Sequence, residues 1–242
     1  MKKCFIGKHP GSILFLIVLL QFHSGAAQDA SPDSLVQEKL RVIRGMLDRG
    51  QPGAGRWWTG WLVGYGAATI AQGAVSLASK DKDMREDMAL GAATTFLGAV
   101  GQIISPMVPT SAPDRLAAMP ETTPEERMKK LSEAESLLKE CALREKSGRS
   151  LKAHAITGIV NLGSGLVVWL GFKRSIWEGV GNFALNTAVT EAQIWTQPTR
   201  AVHDYDDYAV RYQTGAGQHL LKSQIHWSLN AVPGGLGIRI CF

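Results

Sequence analysis

The chain has 242 residues, 45% hydrophobic and 19% charged, with a formal net charge of +5. Lys2, Lys3 and Lys8 supply three of the cations, and the first 27 residues hold no acid, so residues 28–242 carry only +2. No basic stripe remains to bind nucleic acid, and three cysteines without C-x-x-C or Cys/His ligand spacing make no zinc or redox signature.

The positive start is followed by an apolar core, Ile13 to Phe22, and by Ser24-Gly25-Ala26-Ala27. This is the layout of a secretory signal peptide over residues 1–27, and the apolar run is short for a membrane span. Whether it is cleaved or kept as an anchor, residue 28 onward is expected on the far side of the inner membrane. There Cys141 and Cys241 could pair.

Residues 28–56 form a water-side segment. Ser31 is a candidate N-cap with Pro32 at the first helical position, and Val36, Leu40, Ile43 and Leu47 share one face. Residues 57–106 read as a first helical hairpin, because 57–79 and 88–113 lack acids and bases and Pro106 and Pro109 stop the second helix near Ser105. Residues 107–153 link the hairpins. Within them 124–147 is an amphipathic helix that starts at a Thr123–Glu126 capping box and carries Met128, Leu131, Ala134, Leu138 and Cys141 on one seam. Residues 154–198 read as a second hairpin, built from 155–172 and 176–195, with Glu178 and Glu191 interrupting the latter.

Both hairpins are rich in small residues. Gly60, Gly64 and Ala68 recur every four residues, Gly98 shares a face with Thr94 and Gln102, and Ala184, Ala188 and Ala192 repeat the pattern in the last helix. Such faces permit close helix approach in lipid, where burying leucine against leucine gains little. Trp57, Trp58, Trp61, Trp169, Trp177 and Trp195 fall near helix ends, as interfacial indoles do. Gln72, Gln102, Asn161, Asn186 and Glu191 are a possible polar lining. A shift of 91 residues superposes Gly101-Gln102-Ile103-Ile104 on Ala192-Gln193-Ile194-Trp195 and Lys82 on Lys173, which suggests a tandem repeat. An exported N-terminus puts loops 80–87 and 173–175 on the inner side, and Lys173 and Arg174 agree with the positive-inside rule.

Residues 199–242 begin with a segment whose Val202, Tyr205, Tyr208 or Ala209, and Tyr212 suit an interfacial helix. His203 and Asp207 share a helical face while Asp204 and Asp206 point elsewhere, so no metal site is read. A β-hairpin closes the chain, since positions 227, 229, 231 and 236, 238, 240, 242 alternate about Pro233-Gly234-Gly235. Ile238, Ile240 and Phe242 resemble the assembly signal of outer-membrane β-barrel proteins, although no strand series precedes them and a barrel takes about eight strands or more.

The run Arg56 to Gln72 (RWWTGWLVGYGAATIAQ), with AMPETTPEER over 118–127 and QIWTQPTRA over 193–201, resembles an uncharacterised group of exported or membrane proteins of Gram-negative bacteria. The resemblance spans roughly residues 51–212. It implies an envelope location and supplies no activity, cofactor or site.

The expected fold is therefore mainly α: two transmembrane-like hairpins, water-side amphipathic helices and a C-terminal β-hairpin. The expected function is that of a non-enzymatic envelope membrane protein, in the inner membrane with periplasmic termini, the outer membrane or periplasm being alternatives. Its expected partners are the bilayer and a second copy or another envelope protein. A channel or translocation accessory is the alternative, followed by a soluble periplasmic bundle or an envelope enzyme. No G-x-S-x-G or H-E-x-x-H spacing occurs, so no catalytic residue, metal or cofactor is named.

Overall fold

The computed structural model describes residues 32–212, together with the backbone of 226–232 and 235–241. The expected signal peptide and Ser31 lie outside the described residues. Within them the chain is mainly helical, and two stretches, Lys82–Ile104 and Leu151–Gly171, are long and apolar enough to cross a membrane.

The first helix, α1 (Pro32–Ala78), runs through the expected boundary at residue 56 without a break. Pro52 lies inside it and deprives the Asp48 carbonyl of its usual donor. What changes at residue 56 is composition. The N-terminal half carries charges on one side and Val36, Leu40, Ile43 and Leu47 buried on the other, whereas the second half carries no acid or base.

Helix α2 (Lys82–Ile104) folds back along α1. Asp81 caps it by accepting the Met84 N–H at 2.7 Å, and it ends at Ser105 ahead of Pro106, as expected. The stretch after it is not a plain linker. A 3₁₀ turn (Val108–Thr110) and a short helix, α3 (Ala112–Ala117), bury Met107, Ala112 and Leu116 against α1. Helix α4 (Pro124–Gly148) starts at the capping box read from the sequence, with the Thr123 hydroxyl and the Glu126 carboxylate bonding reciprocally.

Helix α5 (Leu151–Leu166) continues into a π-helical turn (Val167–Gly171), and α6 (Ile176–Thr196) returns antiparallel beside it. Lys173, in the left-handed conformation at φ 58°, turns the chain between them. Helix α7 (Arg200–Tyr212) then packs on α4 and α1. Its tyrosine face was expected to lie on lipid. Instead Tyr205, Tyr208 and Ala209 are buried, and the first two join Val36, Leu40, Ile43, Leu131, Leu137, Leu138 and Cys141 in one core. The reason is that α7 follows α6 by a tight three-residue connection that returns it over the bundle, where α4 offers an apolar face. That face is wider than the seam read from the sequence, taking in Leu137 and Ala142 while leaving Met128 exposed.

The molecule is thus a water-style bundle of α1's N-terminal half, α3, α4 and α7, from which two helical hairpins project. Hairpin 1 pairs the rest of α1 with α2, and hairpin 2 pairs α5 with α6. They run side by side with their short loops at the same end, because Arg174 of the second loop bonds Asp87 at 2.8 Å and the Asp83 carbonyl at 2.6 Å. At the opposite end the Trp57 and Trp61 N–H groups reach Thr196 of α6, both at 3.3 Å.

Candidate membrane and association surfaces

The hairpins bury polar side chains and expose apolar ones. In hairpin 1 the Thr69 hydroxyl donates to Thr95 (2.9 Å), Thr95 donates to the Gln72 side chain (3.2 Å), and Ser76 donates to the Arg85 carbonyl. Gln102 is buried, and its carbonyl accepts the Trp58 N–H at 2.9 Å. In hairpin 2 Asn161 donates to Thr190 (2.9 Å), Ser164 donates to Asn182 (2.6 Å), and Asn186 donates to both Ser164 and Asn182. Nearer the bundle, His154 Nδ1 lies 2.9 Å from Glu191, whose other oxygen accepts the Trp195 N–H.

Outside these seams the surface is aliphatic. Ile70 is 74% exposed, Ile159 71% and Leu185 66%, and Leu77, Ile103, Ile104, Leu170 and Trp177 stand out alongside them. A monomeric soluble protein rarely leaves so continuous an apolar surface in water. Trp177 and Trp195 sit at opposite ends of α6, and eighteen residues of helix separate them by about 27 Å, close to the roughly 30 Å of a hydrocarbon core.

The residues singled out as a possible lining do not meet on one path. Gln72 and Gln102 belong to the seam of hairpin 1, whereas Asn161, Asn186 and Glu191 belong to that of hairpin 2. Gln72, Asn161, Asn186 and Glu191 engage partners in their own hairpins, as hydrogen bonds that hold helices together in lipid do, while Gln102 takes part through its backbone carbonyl and its buried amide nitrogen has no partner among the described residues.

Small residues divide differently from the pattern in the sequence. A side chain at Gly98 would collide with the Tyr65 ring at 2.9 Å, so this glycine admits the tyrosine, whose hydroxyl donates to Gln193 across to hairpin 2. The closest helix approach is Gly165 to Gly179, where a Cβ on either would lie 2.7 Å from the other's carbonyl oxygen. Neither was singled out in the sequence, although the Asn161/Ser164 and Asn182/Asn186 spacings mark those inner faces. By contrast Gly60 and Gly64 face open space, Ala68 is half-buried, and Ala184, Ala188 and Ala192 are exposed. The packing expected of these two small-residue faces inside the chain is taken over by others, because the polar side chains claim the inward direction of each helix.

The tryptophan N–H groups are largely satisfied by protein. Those of Trp57, Trp58, Trp61 and Trp195 all have acceptors, while Trp169 and Trp177 mark the loop end. Arg149 stacks on Trp195 with 5.2 Å between guanidinium and ring centre and donates to its carbonyl. Arg174 was read from the sequence only as a topology marker. It is in fact nine-tenths buried among Asp83, Glu86, Asp87 and Glu178, and it ties the two loops.

In the bundle, Glu145 of α4 is buried and caps α7, accepting the Ala201 N–H at 2.7 Å and the Val202 N–H at 3.3 Å. Burial pushes its carboxyl up to about 7, against the pull of those two N–H groups. Cys141 is a free buried thiol that burial pushes up to about 12, which makes it a poor nucleophile. His203 Nδ1 lies 2.8 Å from the Thr199 carbonyl just before α7, and Asp204 pairs with Arg200. Among the described residues no group of three or more His, Cys, Asp or Glu is placed to hold a metal. Comparison with known proteins yields no match to any family model, curated protein or solved structure.

Proposed function

We propose that this is a non-enzymatic envelope membrane protein that spans the bilayer with its two hairpins and associates with a second copy through its outward small-residue faces. One observation carries the reading: the hairpins turn amide and hydroxyl side chains inward and leave both an aliphatic surface and the Gly60–Gly64 and Ala184–Ala188–Ala192 faces open. In lipid such faces gain more from a partner helix than from acyl chains, because backbones approach closely there. The two seams, separate and internally bonded, favour this reading over a conducting path.

Finer features belong to the same reading. The parallel orientation of the hairpins supports a tandem repeat of about 91 residues. Antiparallel backbone pairing of His226–Val232 with Gly235–Cys241 supports a C-terminal hairpin. The apolar N-terminus of the sequence supports export, with the bundle on the periplasmic side and the hairpins in the inner membrane.

The test has two steps. Membranes from expressing cells are washed with alkaline carbonate, and the protein is expected to remain with them. Single cysteines are then placed at Gly64 and Ala188 in a chain lacking Cys4, Cys141 and Cys241, and oxidised in the membrane. Disulfide-linked dimers at these positions and none at Ile159→Cys are expected, with Gly64→Leu weakening dimers of the Ala188→Cys chain. Release by carbonate, or equal cross-linking at all three positions, would sink the proposal.

A further inference from the structure

The bundle end carries a feature that membrane residence and self-association leave unused. Between the N-terminal half of α1 and the segment leading into α4 lies an open cavity of about 610 Å³, within the size range of small-molecule sites. Gln37, Leu40, Arg41, Arg44, Glu121 and Arg127 line it. The lining therefore holds three guanidinium groups and one carboxylate. The buried Leu40 supplies an apolar wall, and Gln37 an amide that donates to Asp33.

The walls are fixed in advance. Arg127 is held by four acceptors: both oxygens of Asp33 at 2.8 Å, and the carbonyls of Glu121 and Thr122 at 3.1 and 2.9 Å. Glu121 is neutralised twice, by Arg44 at 2.7 Å and by the buried Lys130 at 3.2 Å, and these cations keep its carboxyl below the usual range. Lys130 in turn donates to the Met119 carbonyl. The other acids nearby are Asp33, occupied by Arg127, Glu125, and Glu38 of α1.

Arg41 differs from its neighbours. It is exposed at the cavity and makes no hydrogen bond or ion pair among the described residues. Glu38, whose carboxylate feels the charge of Arg41, is engaged by Arg211 at 2.9 Å and by the Tyr212 hydroxyl at 2.7 Å. A guanidinium presents planar paired donors that match carboxylate and phosphate oxygens. Next to a preorganised wall bearing two more, it forms the open position of an oxyanion site.

We propose that this cavity binds a small, multiply charged oxyanion bearing carboxylate or phosphate groups, with Arg41 as the free ligating group and Arg44 and Arg127 as the fixed wall. Sixteen residues of α1 separate Arg41 from Trp57, which places the site about 24 Å along the helix from the aromatic level. The ligand is therefore a solute of the aqueous phase and not a lipid headgroup.

The test is calorimetric titration of the full chain, purified in neutral detergent, with inorganic phosphate and with citrate at fixed ionic strength. Saturable binding of either, with one site per chain, is expected, weakened at least about tenfold in Arg41→Gln, the scale of one hydrogen bond to a charged group. Arg85→Gln, an exposed arginine at the loop end, should leave it unchanged. Phosphate alone would assign a phosphoryl ligand, and citrate alone a carboxylate ligand. Absence of saturable binding by both, or equal binding by the wild type and Arg41→Gln, would overturn the site. Anionic vesicles competing as well as citrate would do the same.

Discussion

The bundle and the hairpins obey opposite rules of burial. In the bundle Ile43 and Leu137 are fully buried, while ion pairs such as Arg115–Glu133 and Arg115–Glu140 face outward. In the hairpins Asn161 and Gln102 are buried at 4% and 3% exposure, whereas Ile159, Leu185 and Ile70 are out. The proposed membrane residence accounts for the contrast, because each part would then face a different solvent. Water rewards buried leucine, whereas hydrocarbon penalises an exposed amide and is indifferent to leucine. Under the proposed membrane residence this burial pattern follows the solvent, with α1 running from the bundle into hairpin 1.

Charge placed in each region tests that contrast most strongly. Leu137→Asp puts an unpaired carboxylate into the bundle core and should prevent folding. Ile159→Asp sits on an exposed surface and would be harmless in water, but near the middle of a span it should cost roughly 2.5–3.5 kcal/mol of insertion. Its expected outcome is loss of carbonate-resistant protein. Wild-type membrane retention of Ile159→Asp would break the comparison.

The bundle should also respond to pH. The folded-state pKa of Glu145 lies above its unfolded value of about 4.5, so burial favours the protonated form. That contribution is fully present below about pH 4.5 and is lost as pH rises through about 7. At about 1.4 kcal/mol per unit the loss is at most about 3.5 kcal/mol. Glu145→Gln keeps an acceptor for Ala201 and Val202 and should flatten the dependence. Melting followed by tyrosine signals between pH 4.5 and 8 reads it, and identical pH profiles for the two proteins would count against this role.

The smallest effect sharpens the comparison. Asn161→Leu replaces a seam amide by an apolar group of similar size. Burial from water would make that change neutral or stabilising. In lipid the leucine gains nothing and the bonds to Thr187 and Thr190 are lost, so about 0.6–1.7 kcal/mol of hairpin stability should disappear. Denaturation in mixed micelles with increasing SDS measures the sign, and stabilisation would place the seam of hairpin 2 in a water-style core.

Local chemistry settled the helices. The Thr123 capping box, the proline after Ser105 and the face of Val36, Leu40, Ile43 and Leu47 each act within a few residues, so they are legible from the chain alone. Composition likewise marked the uncharged stretches and their tryptophan ends. Which face of each hairpin turned inward was a tertiary decision, because Gly60 and Gly165 look alike in sequence and differ only in what stands opposite. The same holds for α7, whose tyrosines suit an interface until α4 is brought against them, and for Arg174, whose carboxylate partners lie up to 91 residues away. Helix starts and stops depend on nearest neighbours along the chain. Burial, charge pairing and the Arg41 cavity depend on neighbours in space, and only the packed structure specifies those.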